Sequence, residues 1–194
     1  MKVGLTGSIG CGKSTVLRVF SDAGWKTLET DRVVADLLEN NKAIIEQLRS
    51  RWGSRVFKHH DGSVDRKAVA SIVFSKPEEL KWLEQVLQPE VRLRWTKEIK
   101  AEPHANSLVE IPLLHEKSLE SNFDTVVCIY CDNQVANCRL AEKGYSEEEI
   151  SHRRTFQMPL ENKALLSDYV LLNTGSIEFL KKQTLRLIKQ LLPS

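Results

Sequence analysis

The sequence predicts an α/β fold in which a parallel sheet of five strands is flanked by helices. Two observations lead to this prediction. Short apolar segments, which suit buried strands, alternate along the chain with longer amphipathic segments, which suit helices. In addition, the first strand runs through a glycine-rich loop directly into a helix, and open sheets of this type gather reacting groups at the carboxyl ends of their strands.

The composition is that of an ordinary globular protein and argues against several functional classes. The chain has 194 residues, of which 41% are hydrophobic and 28% charged, and this length suits one domain or a domain with insertions. A formal net charge of +2 gives no reason to expect a nucleic-acid or membrane partner. No apolar run is long enough for a membrane span, and the first predicted strand begins where a signal peptide would lie, so we expect a cytoplasmic protein.

Five segments are predicted to form the strands, because each is short, apolar and bounded by turn residues. They are residues 2–6, 26–29, 107–111, 125–131 and 169–173. The fourth contains a C-x-x-C pattern formed by Cys128 and Cys131. Since residues three apart on a strand face opposite sides of the sheet, we expect reduced, buried thiols here rather than a metal site.

Two helical patterns lie in the first part of the chain. The pattern over 16–23 is followed by Gly24, a residue type that commonly ends helices. Apolar residues at helical spacing then run over 33–52, with a break expected at Asn40 and Asn41.

A helical block without any strand pattern, at about 62–102, is predicted to be inserted between the second and third strands. Asp65 can cap its first helix, and Pro77, followed by two glutamates, suits the start of its second. Pro89 is expected to kink or restart that helix. The core of a single domain would then consist of residues 1–56, 106–133 and 160–194.

A second helical region, at about 134–158, is predicted to form a basic lid. Its first helix, 134–143, places Arg139 and Lys143 at a spacing of four residues, which puts both on one face. Ser146 begins its second helix with a capping box. Two basic helices joined by a glycine turn suit closure over phosphates, and a solvated basic face is the alternative.

Residues 7–15, which read GSIGCGKST, match the pattern G-x-x-x-x-G-K-[ST] of a phosphate-binding loop. A polyphosphate requires several backbone N–H groups aimed at one point, and glycines leave that backbone bare. The helix that follows offers further unpaired N–H groups and a favourable dipole. Lys13 is expected to reach the β- and γ-phosphates, Ser14 to bind Mg²⁺ directly, and Thr15 to lie near the α-phosphate.

Two carboxylates follow strands and are candidates for the same site. Asp31 comes directly after the second strand and could act as a base for an incoming hydroxyl, hold Mg²⁺ through water, or simply cap the next helix. Glu110 ends the third strand, where a carboxylate commonly holds Mg²⁺ through water in enzymes with a phosphate loop, and Glu116 is a weaker candidate.

The sequence resembles the dephospho-coenzyme A kinases over nearly its whole length. The resemblance rests on the opening GLTGSIGCGKST, the aspartate after the second strand, and the segments FSKPEELKWLEQVLQPEV, IPLLHEKSL and RLAEKGYSEEEI with the following RRTFQ. It implies a P-loop kinase fold, in which the helical block receives the pantetheine arm of the acceptor. It also implies transfer of the γ-phosphate of ATP, with Mg²⁺, to the ribose 3′-hydroxyl of dephospho-coenzyme A, the last step of coenzyme A synthesis.

The resemblance also implies roles for individual residues. Asp31 would accept the hydroxyl proton, and Lys13 would act with it in catalysis. The implied ATP-binding residues are Gly10, Cys11, Gly12, Lys13, Ser14, Thr15, Arg139 and Lys143. The chain departs from the family pattern at Gln88, where histidine is usual, and at Lys143, where arginine is common and would bind phosphate in a bidentate manner.

Two other functions are compatible with a phosphate loop. One is another small-molecule or nucleotide kinase, whose helical block would bind a different acceptor. The other is a GTP-binding switch, which usually reads guanine with the motif N-K-x-D. The nearest string, Asn162-Lys163-Ala164-Leu165, lacks the acid of that motif, so the switch is disfavoured.

Overall fold

A computed structural model describes residues 1–102 and 104–192, apart from the side chain of Phe74. The predicted core segment 160–194 therefore ends in two residues, Pro193 and Ser194, that lie outside the described residues. Among the described residues, no helix combines the length and the apolar character needed to cross a lipid bilayer.

The strands of the described residues form one sheet in which every neighbouring pair is parallel, and this confirms the predicted fold class. They are β1 Lys2–Gly7, β2 Lys26–Glu29, β3 Ser107–Glu110, β4 Thr125–Tyr130 and β5 Tyr169–Leu172. Their spatial order is β2-β3-β1-β4-β5. On the central strand β1, Leu5 lies opposite Glu110 of β3 and Val127 of β4. Since β1 and β3 are parallel neighbours, the residues at their carboxyl ends lie side by side.

Helices connect the strands, as the alternation of patterns predicts. Before β3 they are α1 Lys13–Asp22, α2 Thr30–Asn40, α3 Lys42–Trp52, α4 Arg66–Ser75 and α5 Pro77–Ala101. After β3 they are α6 Asn133–Ala141, α7 Glu147–Thr155, α8 Leu160–Leu166 and α9 Ile177–Leu191.

The chain divides into two compact units, of which the first combines Met1–Glu29 with the residues from Glu102 onward and contains the whole sheet. Its core lies between the sheet and the helices α1 and α9. Leu5 of β1, Phe20 of α1 and Leu180 of α9 are completely buried there. The ring of Phe20 meets that of Trp25 edge to face, with centroids 4.9 Å apart. This packing fixes α1, and with it the loop between β1 and α1.

The second unit is Thr30–Ala101, which comprises α2 to α5. The rings of Trp52 and Trp82 meet edge to face at 5.1 Å. Glu79 accepts hydrogen bonds from the Nε1 of Trp52 at 2.9 Å and from the Nε of Arg51 at 3.0 Å, so one carboxylate ties α3 to α5. The helix α5 continues through Pro89 as a single helix.

Most predicted helix starts are found where capping residues indicated them, because capping depends on neighbouring residues alone. Asn41 separates α2 from α3 and accepts from two N–H groups of α3. Asp65 caps α4, and Ser146 forms the expected capping box with Glu149. The helix predicted over 134–143 corresponds to α6, but α6 ends two residues earlier than predicted, at Ala141.

The strand β5 lies at the edge of the sheet, and one of its outward peptide groups is paired by a side chain. Gln183 of α9 accepts a hydrogen bond from the N–H of Leu172 at 3.1 Å and donates to its carbonyl at 2.8 Å. The side-chain amide therefore pairs with the strand as a neighbouring strand would. The side chains of Val170 and Leu172 are exposed.

Candidate active site

The loop between β1 and α1 is held tightly against its surroundings. Gly12 precedes α1 with φ of 101°, a conformation that residues with a side chain rarely adopt. A Cβ atom at Gly12 would lie 2.3 Å from the Nδ2 of Asn173, and one at Gly7 would lie 2.8 Å from the carbonyl oxygen of Ile129. Glycine is therefore required by both the backbone conformation and the space at these positions.

Lys13 and Glu110 lie together where β1 and β3 end. The Nζ of Lys13 donates to the carbonyls of Gly7 at 3.3 Å and Ser8 at 3.0 Å, and it lies 3.7 Å from the Oε1 of Glu110. Only 14% of the Lys13 side chain and 6% of the Glu110 side chain are exposed. The ammonium is thus held at the loop by oxygen atoms, and it can turn from them to a phosphate.

The first turn of α1 carries the two hydroxyl residues that were predicted to bind nucleotide or Mg²⁺. Ser14 is exposed and Thr15 is half-buried. Hydroxyl and carboxylate oxygens are the ligands that Mg²⁺ prefers, and this ion usually binds through one or two protein oxygens together with substrate phosphates. Ser14 and Glu110 fit that donor chemistry. No group of three or more His, Cys, Asp or Glu side chains in the described part of the chain could hold a metal ion by itself.

Helix α6 brings Arg139 to the same end of the sheet. Its NH2 donates to the Oδ1 of Asn173 at 3.3 Å, and its NH1 donates to the Sγ of Cys131 at 3.5 Å. Asn173 in turn donates from Nδ2 to the carbonyl of Cys11 in the loop at 2.7 Å. Arg139 is therefore connected to the phosphate loop through one buried side chain.

Lys143 has a different position from the one expected. It lies in the exposed turn after α6, so the helical spacing that predicted a face shared with Arg139 does not apply. The helix ends two residues earlier because the chain turns at Gly144, where φ is 85°.

Helix α7 and the residues after it contribute to this site as well. The Oε1 of Gln157 accepts a hydrogen bond from the N–H of Ile9 in the phosphate loop at 3.2 Å. The Nε and NH2 atoms of Arg154 are buried and have no hydrogen-bond partner among the described residues. Burial raises the pKa of the Cys131 thiol, and the charges of Arg139 and Arg154 act in the opposite direction.

Cys11 lies inside the loop and is completely buried. Burial is the main cause that raises the pKa of its thiol, and the nearby Lys13 lowers it by a smaller amount. The thiol therefore stays protonated at neutral pH, and its role in the loop is that of a small packed residue.

Asp31 belongs to the second unit, where it lies exposed in the first turn of α2, two residues after the end of β2. Because α2 begins at Thr30, Asp31 lies within the helix and is not its capping residue. A carboxylate in this position is stabilised by the helix dipole. One of the three roles considered for Asp31 is therefore removed.

Sequence reasoning missed two residues that shape this site. Asn173 and Gln157 both contact the loop by hydrogen bonds, but they lie far from it in sequence. A polar residue directly after an apolar strand was the only signal for Asn173.

The string considered for guanine recognition, residues 162–165, has a structural role. Lys163 is fully buried in α8 and donates to the carbonyl of Pro112 at 2.5 Å.

Comparison with known proteins places this chain in one family. The family model described as dephospho-CoA kinase (CoaE) matches residues 1–178. A curated dephospho-CoA kinase of Aquifex aeolicus is 34% identical to the chain and the alignment covers 98% of this chain and 97% of that protein. The crystal structure of TT1252 from Thermus thermophilus superposes with a TM-score of 0.82 and 34% identity, covering 100% of this chain and 98% of that one.

A second solved structure agrees with this assignment. The dephospho-CoA kinase from Campylobacter jejuni superposes with a TM-score of 0.73 at 26% identity, and 98% of each chain is covered. The similarity therefore extends over the phosphate loop, the helical unit and the helices α6 and α7, not over the loop alone. The chain belongs to the dephospho-CoA kinase family of P-loop kinases.

Proposed function

We propose that this protein transfers the γ-phosphate of ATP to the ribose 3′-hydroxyl of dephospho-CoA and so produces coenzyme A. The observation that carries the proposal is the similarity to dephospho-CoA kinases over 98% of the chain, combined with the phosphate loop in which Lys13 faces Glu110. A kinase for a different acceptor is disfavoured because the helical block at about 62–102, which we propose to bind the acceptor, lies within the matched length. The cytoplasm, where ATP is abundant, is the proposed location.

Phosphoryl transfer depends on alignment and charge neutralisation more than on covalent help from the protein. In our proposal, Lys13 moves from the carbonyls of Gly7 and Ser8 to the transferring phosphate, and the N–H groups of Gly10 to Thr15 hold the β-phosphate. Mg²⁺, when bound, would neutralise the β- and γ-phosphates, with Ser14 as a direct ligand and Glu110 as a ligand through water. Arg139, which is connected to the loop through Asn173, is proposed to contribute positive charge, and Lys143 is proposed to approach ATP from the turn after α6.

Asp31 is the proposed catalytic base. The 3′-oxygen of the acceptor forms a bond to the γ-phosphorus while the bond from that phosphorus to the leaving ADP oxygen breaks, and Asp31 takes the proton that the hydroxyl loses. Its exposed position at the start of α2 leaves the carboxylate open to an acceptor. The helical block at about 62–102 is proposed to bind the pantetheine arm.

The proposal is tested by incubating the protein with ATP, Mg²⁺ and dephospho-CoA and following the product by mass spectrometry. We expect coenzyme A to form with one ADP released for each molecule, and we expect the Lys13→Met variant to form none. ATP hydrolysis without a phosphorylated acceptor, or equal use of unrelated alcohols such as shikimate and nucleosides, would overturn it.

A further inference from the structure

Asn173 occupies a position where three parts of the first unit meet. It follows β5 directly, and its N–H donates to the carbonyl of Tyr130 on β4 at 2.7 Å, so its backbone is fixed by the sheet. Its side chain is buried, with 3% of the residue exposed. A buried primary amide is costly unless its oxygen and nitrogen both find partners.

Both ends of this amide are used, and each contacts a different element of the nucleotide site. The Nδ2 donates to the carbonyl of Cys11 in the phosphate loop at 2.7 Å, and the Oδ1 accepts from the NH2 of Arg139 at 3.3 Å. The two partners determine the orientation of the amide, because a carbonyl can only accept and a guanidinium can only donate. A side chain with two oxygens or with none cannot satisfy both.

The amide also lies directly against the backbone of the loop. A Cβ atom placed on Gly12 would lie 2.3 Å from the Nδ2 of Asn173. The Asn173 amide therefore contacts the peptide between Cys11 and Gly12 both by a hydrogen bond and by close packing. Arg139 also donates to the Sγ of Cys131 at 3.5 Å, which is a weak hydrogen bond.

We propose that Asn173 is a positioning residue of the nucleotide site, which sets the phosphate loop and the guanidinium of Arg139 in one fixed relation. The inference rests on the proposed function. Through the Cys11 carbonyl, Asn173 holds the loop in the shape that presents its N–H groups to phosphate. Through its Oδ1, it holds Arg139 beside the loop. Asn173 therefore affects the binding of ATP and not the binding of the acceptor.

The test measures ATP binding by calorimetry without any acceptor, together with separate KM values for ATP and dephospho-CoA. In Asn173→Asp, which has the same shape but turns an oxygen toward the Cys11 carbonyl, we expect the Kd and KM for ATP to rise about tenfold or more. The KM for dephospho-CoA should stay within about twofold, as is usual for a site that a mutation does not touch. Thr184→Val is the matched control, since Thr184 is also buried but its hydroxyl donates to the Leu180 carbonyl of its own helix. It should lose stability and keep ATP affinity.

A double-mutant cycle between Asn173→Ala and Arg139→Ala separates positioning from simple packing. We expect the two losses of ATP affinity to be non-additive, with the double variant about as weak as Asn173→Ala alone. If Asn173→Ala does not fold, the NMR signal of the Asn173 side-chain amide is followed in the wild-type protein and in Arg139→Ala, where we expect it to shift. Three results would each overturn the inference. They are an unchanged ATP affinity in folded Asn173→Asp, additive losses of ATP affinity in the double variant, and an Asn173 amide signal that does not shift in Arg139→Ala. Because ATP binding is measured without an acceptor, a failure here is distinct from a failure to make coenzyme A.

Discussion

The ammonium of Lys163, on α8, lies 2.8 Å from the Oε1 of Glu116 although the lysine side chain has no exposed surface. The same carboxylate oxygen accepts a hydrogen bond from the N–H of Met158 at 2.7 Å, and Lys163 also donates to the carbonyl of Pro112. A buried charge of this kind is retained only with its partners, and here the partners join the segment after β3 to the start of α8.

Removal of Lys163 should therefore destabilise the protein strongly. We expect Lys163→Met to lower the free energy of unfolding by about 3–5 kcal/mol, because it leaves the Glu116 carboxylate without its cation. Urea denaturation measures this loss. Lys181→Met, on the exposed face of α9, is the control and should change stability by less than about 0.5 kcal/mol. The double variant Lys163→Met/Glu116→Gln should recover part of the loss, and no recovery would contradict the pairing.

Asp31 offers a sharp test of catalysis. We expect Asp31→Asn to lower kcat by about 10²-fold or more, since a positioned base typically contributes this much, while ATP affinity stays nearly unchanged. Asp36→Asn is the matched control, because Asp36 lies on the same helix and pairs with Arg94 at 3.2 Å. A kcat for Asp31→Asn equal to that of the control would exclude Asp31 as the base.

Substitution of Gly12 should damage both stability and nucleotide binding. Gly12→Ala adds a Cβ atom 2.3 Å from Asn173 at a backbone φ of 101°, so we expect a loss of more than about 2 kcal/mol in unfolding free energy and a weaker Kd for ATP. Gly24→Ala has a similar φ of 83° but open space around it. It should cost about 1 kcal/mol and leave ATP binding intact, and equal effects of the two variants would contradict the packing argument.

The buried thiol of Cys128 should make stability depend on pH in the alkaline range. Burial raises its pKa from 9.0 to about 12, so between these values the folded protein keeps a proton that the unfolded chain releases. The stabilising contribution is complete below about pH 9 and is lost as pH rises toward 12, at up to about 1.4 kcal/mol per pH unit. Between about pH 8 and pH 10.5, the free energy of urea unfolding should decline less for Cys128→Ala than for the wild type. Parallel curves would contradict the assignment.

Local signals predicted much of the fold. The glycine spacing of residues 7–15 indicated the loop, and capping residues such as Asp65 and Ser146 indicated helix starts, because both depend on a few adjacent residues. The short helix α8 was not predicted, and α6 was extended past its true end to include Lys143. The start of α8 has no side-chain cap, whereas α6 ends in the turn at Gly144, which the helical pattern did not separate from the helix itself.

The parts of the site that sequence did not reveal are those made by distant residues. Asn173 contacts Cys11 across nearly the whole length of the chain, and the burial of Lys163 depends on Glu116. A polar residue gives no indication of such partners until the sheet has brought the ends of its strands together. The loop could therefore be predicted, while its supporting contacts could not.

The hydrogen bonds between Gln183 and the peptide of Leu172 have a consequence for the behaviour of the protein at high concentration. An edge strand with exposed apolar side chains is a template on which another chain can add a strand and begin to aggregate. Gln183 already pairs with the N–H and the carbonyl of Leu172, so a strand from a second molecule could not form hydrogen bonds to these groups. One side-chain amide at the edge of the sheet therefore opposes the addition of a strand from another molecule.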